Sequence, residues 1–180
     1  LGDVYKRQSL GTRSLNEMMK AWIVETGGEA PVQVIWQTGK YYEREMQAFL
    51  AAHPARHVWQ GAFIDRMDYA YAAADLVVSR SGAGTVSELC LVARPVLFVP
   101  SPNVAEDHQT KNALALVNKQ AAIYVKDSEA ETTLMDVALS TVNDEQKLKE
   151  LTENIAKLAL PDSARIIAQE VIKLAEAKNR

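Results

Sequence analysis

Residues 95–100 read Pro-Val-Leu-Phe-Val-Pro, and this run constrains the fold more than any other stretch of the chain. Four consecutive apolar residues between prolines are too few for a helix and do not alternate. They suit a strand covered on both faces, the situation of a parallel sheet. Asp75-Leu76-Val77-Val78 has a similar character, and a helical segment over Gly84–Ala93 separates the two. Strand, helix and strand in this order make a right-handed crossover unit.

The alternation runs through most of the chain. Strands are predicted at Val32–Gln37, His57–Phe63, Ala74–Ser79, Pro95–Pro100 and Ala121–Val125. Helices are predicted at Arg13–Thr26, Tyr41–His53, Asp65–Ala74, Gly84–Ala93 and Glu106–Lys119, with Asp65 as the cap of the third. Gly27-Gly28 stops the first helix. After residue 130 the strands end, and Glu131–Thr141, Asp144–Leu158 and Asp162–Lys178 read as helices. The pattern predicts an α/β fold: a Rossmann-like parallel sheet with helices on both faces and a helical C-terminal tail. Leu1–Gln8 (LGDVYKRQ) has neither alternation nor a stripe and is read as non-native sequence. The expected domain is then 9–180, with the natural protein extending upstream.

Composition removes several classes of function. The 180 residues suit about one domain. With 20 Lys and Arg against 23 Asp and Glu, the net charge of −3 opposes nucleic-acid binding, which needs a basic face. One cysteine makes no intrachain disulfide and no cysteine-based zinc site, and Cys90 reads as a small buried residue. His53 and His57 flank a proline turn and read as surface residues, so no metal site is expected. No apolar run reaches the roughly 18 residues of a membrane-spanning helix.

In open α/β sheets ligands bind beyond the carboxyl ends of the strands. The segment Ser79-Arg80-Ser81-Gly82-Ala83-Gly84-Thr85-Val86-Ser87-Glu88 follows a buried strand and opens a helix. Its small residues permit close approach, and the helix start offers free N–H groups to a phosphate. Glu88, three residues after Thr85, can accept both hydroxyls of a ribose. The same residues also fit a plain strand-to-helix turn with Glu88 serving the helix dipole. The segment Pro100–Asn112 is a second such loop, in which Asp107, His108 and Gln109 can read sugar hydroxyls; a capped proline turn explains it equally well. Ser9-Leu10-Gly11-Thr12-Arg13 would suit a diphosphate at a helix start, and Gln37-Thr38-Gly39-Lys40 reads as a simple glycine turn. No paired carboxylates, Ser-His-Asp set or metal cluster is evident, so no catalytic residue is assigned.

Four stretches carry a family resemblance: SLGTRSLNE from Ser9, QTGK from Gln37, AFIDRMDYAYAAADLVVSRSGAGTVSE from Ala62, and PVLFVPSPNVAEDHQTKNALAL from Pro95. Over 9–180 the chain resembles the C-terminal, donor-binding domain of MurG-type N-acetylglucosaminyltransferases. The resemblance implies half of a two-domain GT-B enzyme that moves GlcNAc from UDP-GlcNAc to lipid I, giving lipid II with inversion. It implies backbone contacts to uracil around Ile64, with Met67 nearby. Ala83, Gly84 and Thr85 would meet the phosphate and ribose side, and Glu88 the ribose hydroxyls. Gln109 and Thr110 would contact GlcNAc, and Ser9 the diphosphate. The family's first loop carries Gly-Gly where Arg7-Gln8 stand, and some members have a second glutamine at the position of Thr110. The resemblance further implies no metal or cofactor. It puts lipid I and a peripheral contact with the cytoplasmic face of the inner membrane in an N-terminal domain. This chain alone is then expected to be inactive, with an exposed apolar side on its last helix. Two other readings stay open on the residues: another GT-B UDP-sugar enzyme, such as a glycolipid glycosyltransferase or a UDP-GlcNAc 2-epimerase, and a non-enzymatic nucleotide-binding module.

Overall fold

A computed structural model describes residues 13–178. Helix α1 (Arg13–Glu25) leads to strand β1 (Val34–Gln37), helix α2 (Glu43–Ala52), strand β2 (Val58–Gly61) and helix α3 (Met67–Ala73). Strand β3 (Val77–Ser79), helix α4 (Ala83–Val92), strand β4 (Val96–Phe98), helix α5 (His108–Val117) and strand β5 (Ile123–Tyr124) follow. Helices α6 (Ala130–Val142), α7 (Glu145–Ala156) and α8 (Ser163–Lys178) complete the described chain. All strand pairing is parallel: β1 with β2 in one sheet, and β3-β4-β5 in the other.

The run at 95–100 does what its composition demands. Val96, Leu97, Phe98 and Val99 are each 0% exposed. Their side chains alternate between two cores. Leu97 and Val99 join Met18, Met19, Trp22 and Ile23 of α1, Trp36 of β1, Met46 of α2 and Leu134 of α6. Val96 and Phe98 join Leu89 and Cys90 of α4, Ala113 and Leu116 of α5, and Ile155 of α7. β4 is thus covered on both faces, and α1 packs across both sheets.

Both sheets present their carboxyl ends to the start of α1. Asn16 Nδ2 donates to the carbonyl of Thr38, just past β1, at 3.1 Å. Arg80, just past β3, donates through Nη2 to Ser14 Oγ at 2.6 Å. The loops after β1, β2, β3 and β4 therefore open on one side of the molecule.

Helix ends follow local chemistry, with two corrections. α1 stops at Gly27 and Gly28, both left-handed at φ +61° and +80°, and a Cβ on Gly28 would lie 2.3 Å from the Pro54 carbonyl oxygen. Asp65 does not cap α3. Arg66, with non-helical φ and ψ, occupies that position, makes no side-chain cap, and pairs instead with Asp68 in the first turn. The helix expected from Glu106 starts at His108, because Glu106 and Asp107 are both left-handed, at φ +54° and +51°. Cys90 is buried, as expected. The last helix keeps its apolar residues outside: Ile167 is 63% and Leu174 71% exposed. No helix among the described residues is long and apolar enough to cross a membrane.

Candidate functional site

The turn between β3 and α4 is the centre of the site. Gly82 stands at the helix N-cap in an extended conformation and supplies no side-chain cap. The first intrahelical bond runs from the Val86 N–H to the Gly82 carbonyl at 2.9 Å. The amides of Ala83, Gly84 and Thr85 thus precede the hydrogen-bonded ladder, as the first donors of any helix do. Ala83 and Gly84 are exposed, and a Cβ on Gly84 would meet nothing within 4 Å. Neither backbone strain nor protein crowding asks for glycine at 84; the small residue leaves open space beside these amides.

Glu88 lies exposed one turn further along α4. Tyr71 of α3 lies near its carboxylate; burial first, and then this negative neighbour, push the tyrosine hydroxyl up to about 12. Met67 precedes Tyr71 by one helical turn and so shares its side of α3. The loop carrying Ile64 and the helix carrying Glu88 are brought together through α3.

Ile64 is held from another quarter. Its N–H donates to Gln37 Oε1 at 3.3 Å. The loop before it is tied to the QTGK turn: the Thr38 N–H bonds the Gly61 carbonyl at 3.0 Å, and the Gly39 N–H bonds the Ala62 carbonyl at 3.2 Å. Gly39 is left-handed at φ +80°, the simple turn glycine expected there, but the neighbouring Gln37 has a role that its turn signature hid.

The loop after β4 meets the α4 turn directly. Ser81 Oγ donates to the Gln109 carbonyl at 2.7 Å, and Asn112 Nδ2 donates to the Ser81 carbonyl at 3.0 Å. The Ser101 N–H donates to Gln109 Oε1 at 2.9 Å. Gln109 and Thr110 are half-buried in the first turn of α5, whereas Asp107 and His108 are exposed. Asp107 stands at the N-cap of α5 without a side-chain cap hydrogen bond. His108 Nδ1 lies 2.8 Å from the Ala105 carbonyl.

Beneath both turns, Arg80 is part of a network of limited exposure. Its Nη1 donates to the Val99 carbonyl at 2.8 Å and to Asp127 Oδ1 at 2.5 Å, while Ser14 Oγ donates to Asp127 Oδ1 at 2.6 Å. The structure therefore gathers Ala83, Gly84, Thr85, Glu88 and Gln109 at one helix start, with Thr110 next to Gln109 on α5; Met67 lies on α3, and Ile64 is held by Gln37. Ser9, Arg7 and Gln8 lie outside the described residues. Gln37, Tyr71, Ser81, Ser101 and Asn112 were missed as site residues; each lies inside or just beyond a stretch quoted above, but only the fold pairs them.

The glycosyltransferase family 28 C-terminal domain model matches residues 9–167. The chain belongs to this family. A relative from Bacteroides thetaiotaomicron, named UDP-N-acetylglucosamine--N-acetylmuramyl-(pentapeptide) pyrophosphoryl-undecaprenol N-acetylglucosamine transferase, is 64% identical over 172 residues, which are 95% of this chain and 46% of the relative. The family 28 domain thus spans about half the length of the curated relatives it matches. Among solved structures, MurG of Acinetobacter baumannii superposes with a TM-score of 0.77 at 30% identity, covering 92% of this chain and 49% of that one. A UDP-N-acetylglucosamine 2-epimerase superposes at 0.60 with 16% identity, over 92% of this chain and 42% of that one. At that identity it shares the fold alone.

Proposed function

We propose that this family 28 domain is the donor-binding half of an enzyme that transfers GlcNAc from UDP-GlcNAc to lipid I, giving lipid II with inversion. The observation that carries this reading is the pairing of an uncapped helix start at 82–85 with Glu88 one turn in and Gln109 stitched alongside. The α4 amides and the positive end of its dipole suit the diphosphate, which gains charge as the glycosidic bond breaks. Glu88, with Tyr71 nearby, is suited to accept hydrogen bonds from the two ribose hydroxyls. Backbone groups near Ile64, with Met67 beside them, are assigned to uracil, and Gln109 and Thr110 to the sugar. Ser9 would complete the diphosphate contact. The high identity to transferases named for this reaction supports the choice over an epimerase with the same fold.

No residue of this chain is assigned a catalytic role. Inverting transfer needs a base on the acceptor hydroxyl, and we assign that base, the lipid I site and the peripheral membrane contact to an N-terminal half. The exposed apolar side of α8 is read as a surface that this other half covers.

The test is ligand-observed NMR on the 180-residue chain with UDP-GlcNAc, UDP-glucose and ADP. Saturation transfer to uridine and GlcNAc protons is expected, and is lost with ADP and in Glu88→Ala. No transfer from a chain whose amide spectrum shows it folded overturns the reading of this chain as a self-sufficient donor site. Lipid II formed by the chain alone from UDP-GlcNAc and a lipid I analogue overturns the division of labour.

A further inference from the structure

Ser81 is 0% exposed, yet both of its polar atoms beyond the amide are used to reach another loop. Its hydroxyl donates to the main chain of Gln109, and its carbonyl accepts from the side chain of Asn112, one turn further along α5. The two bonds fix the first turn of α5 against the start of α4. Neither bond is needed to close a helix: the Gln109 carbonyl can accept its intrahelical bond and the hydroxyl together, since it has two lone pairs.

A third bond acts on the Gln109 side chain. The group facing Oε1 is the backbone N–H of Ser101, at 2.9 Å. A backbone N–H can only donate, so the atom that meets it is the carbonyl oxygen, and the orientation of the amide follows from the partner. Ser101 is itself 5% exposed, just past the strand covered on both faces. The Nε2 group is turned away from this bond, and none of the hydrogen bonds among the described residues uses it.

We propose that this clamp makes Gln109 an oriented reader of the donor sugar: with Oε1 held by the Ser101 N–H, it presents its Nε2 N–H group to an oxygen lone pair. Ser81 and Asn112 are positioning residues that hold Gln109 in place, and Ser101 sets its polarity. The proposal rests on the reading of this loop as the GlcNAc side of a UDP-GlcNAc site. A free glutamine accepts or donates as the ligand requires. A latched one discriminates, because a ligand group without a lone pair at that point leaves a donor unpaired.

The discriminating variant is Gln109→Glu in the 180-residue chain. A carboxylate still accepts the Ser101 N–H but has no N–H to give. Titration calorimetry with UDP and with UDP-GlcNAc reads the sugar's share as the ratio of the two affinities, which cancels any effect of the new charge on the shared UDP part. The expected result is a ratio lowered by about tenfold, the size of one lost hydrogen bond to an otherwise unpaired group. The Ser101 amide resonance should stay near its wild-type position. Ser81→Ala, which removes the hydroxyl that holds the Gln109 main chain, is expected to lower the ratio by about threefold. A merely structural serine would weaken both ligands alike. The proposal is overturned if Gln109→Glu keeps the wild-type ratio, or if the wild-type chain binds UDP and UDP-GlcNAc equally. A wild-type chain that binds neither better than ADP overturns the donor reading instead, and the clamp's role with it.

Discussion

At Tyr71 a single hydroxyl couples stability to the site. Burial first, and then the nearby Glu88 carboxylate, raise its affinity for its proton from the ordinary 10.0 to about 12. The folded chain therefore keeps a proton that the unfolded chain releases. The stability this supplies is whole below about pH 10 and is lost as pH climbs toward 12. Denaturant midpoints are expected to fall over that window in the wild type and to fall less steeply in Tyr71→Phe. The same variant removes the hydroxyl beside the Glu88 carboxylate, and UDP binding is expected to weaken by about fivefold at neutral pH, measured by calorimetry. An unchanged affinity would mean that Glu88 is oriented without Tyr71. Asn16 is a second residue with consequences beyond its size. It is 1% exposed, donates to the Thr38 carbonyl and accepts the Trp36 Nε1–H at 3.0 Å. Asn16→Ala strands that indole donor in the core and is expected to cost about 2–3 kcal/mol in urea unfolding.

Among elements, the network at Arg80 links more of the fold than any helix contact nearby. One guanidinium at the end of β3 reaches the main chain past β4, the first turn of α1 and the carboxylate of Asp127 ahead of α6. The Arg80 and Asp127 side chains are only 15% and 20% exposed. Removing one partner of a fully buried pair costs about 3–5 kcal/mol, because the other charge is left in a poor solvent. With this residual exposure, Asp127→Ala is expected to cost about 2 kcal/mol. The hydrogen-exchange loss should concentrate where α1, β3 and α6 meet. Loss confined to α6 would show that Arg80 is held well enough by its other partners. The network also explains why a positive residue in the strand-end loop is not simply at the disposal of a ligand's phosphates: its charge is already engaged.

For the whole molecule, the apolar side of α8 is the feature with the clearest physical consequence. Ile166, Ile167, Val171, Ile172 and Leu174 are between 51% and 71% exposed. A contiguous apolar stripe of this kind is unusual on a monomer in water. The 180-residue chain is expected to self-associate in sedimentation at high concentration. Replacing Ile167 and Val171 by glutamine should return it toward monomer with the Tm unchanged. A wild-type chain that is monomeric throughout would count against the stripe as a docking face.

How much of this was legible depended on whether the cause was local. The apolar run at 95–100, the Gly27-Gly28 stop and the order of strands and helices are set by residue type and spacing, and the structure reproduces them to within a few residues. Gly84 and Glu88 could be put forward as candidates because a strand end followed by a small-residue helix start has a local signature. The cap at Asp65 was misjudged because Arg66 pairs with Asp68 and the helix begins later. The roles of Ser81, Asn112, Gln37 and Tyr71 were invisible for a different reason. Ser81 meets Gln109 28 residues away, and Gln37 meets Ile64 27 residues away. The sequence by itself determined the alternation of elements, the covered strand and the loops where a ligand can sit, because those follow from local polarity and backbone freedom. Only the tertiary structure decided which side chains are committed to one another, because a hydrogen bond depends on where two distant segments are brought by the packing between them.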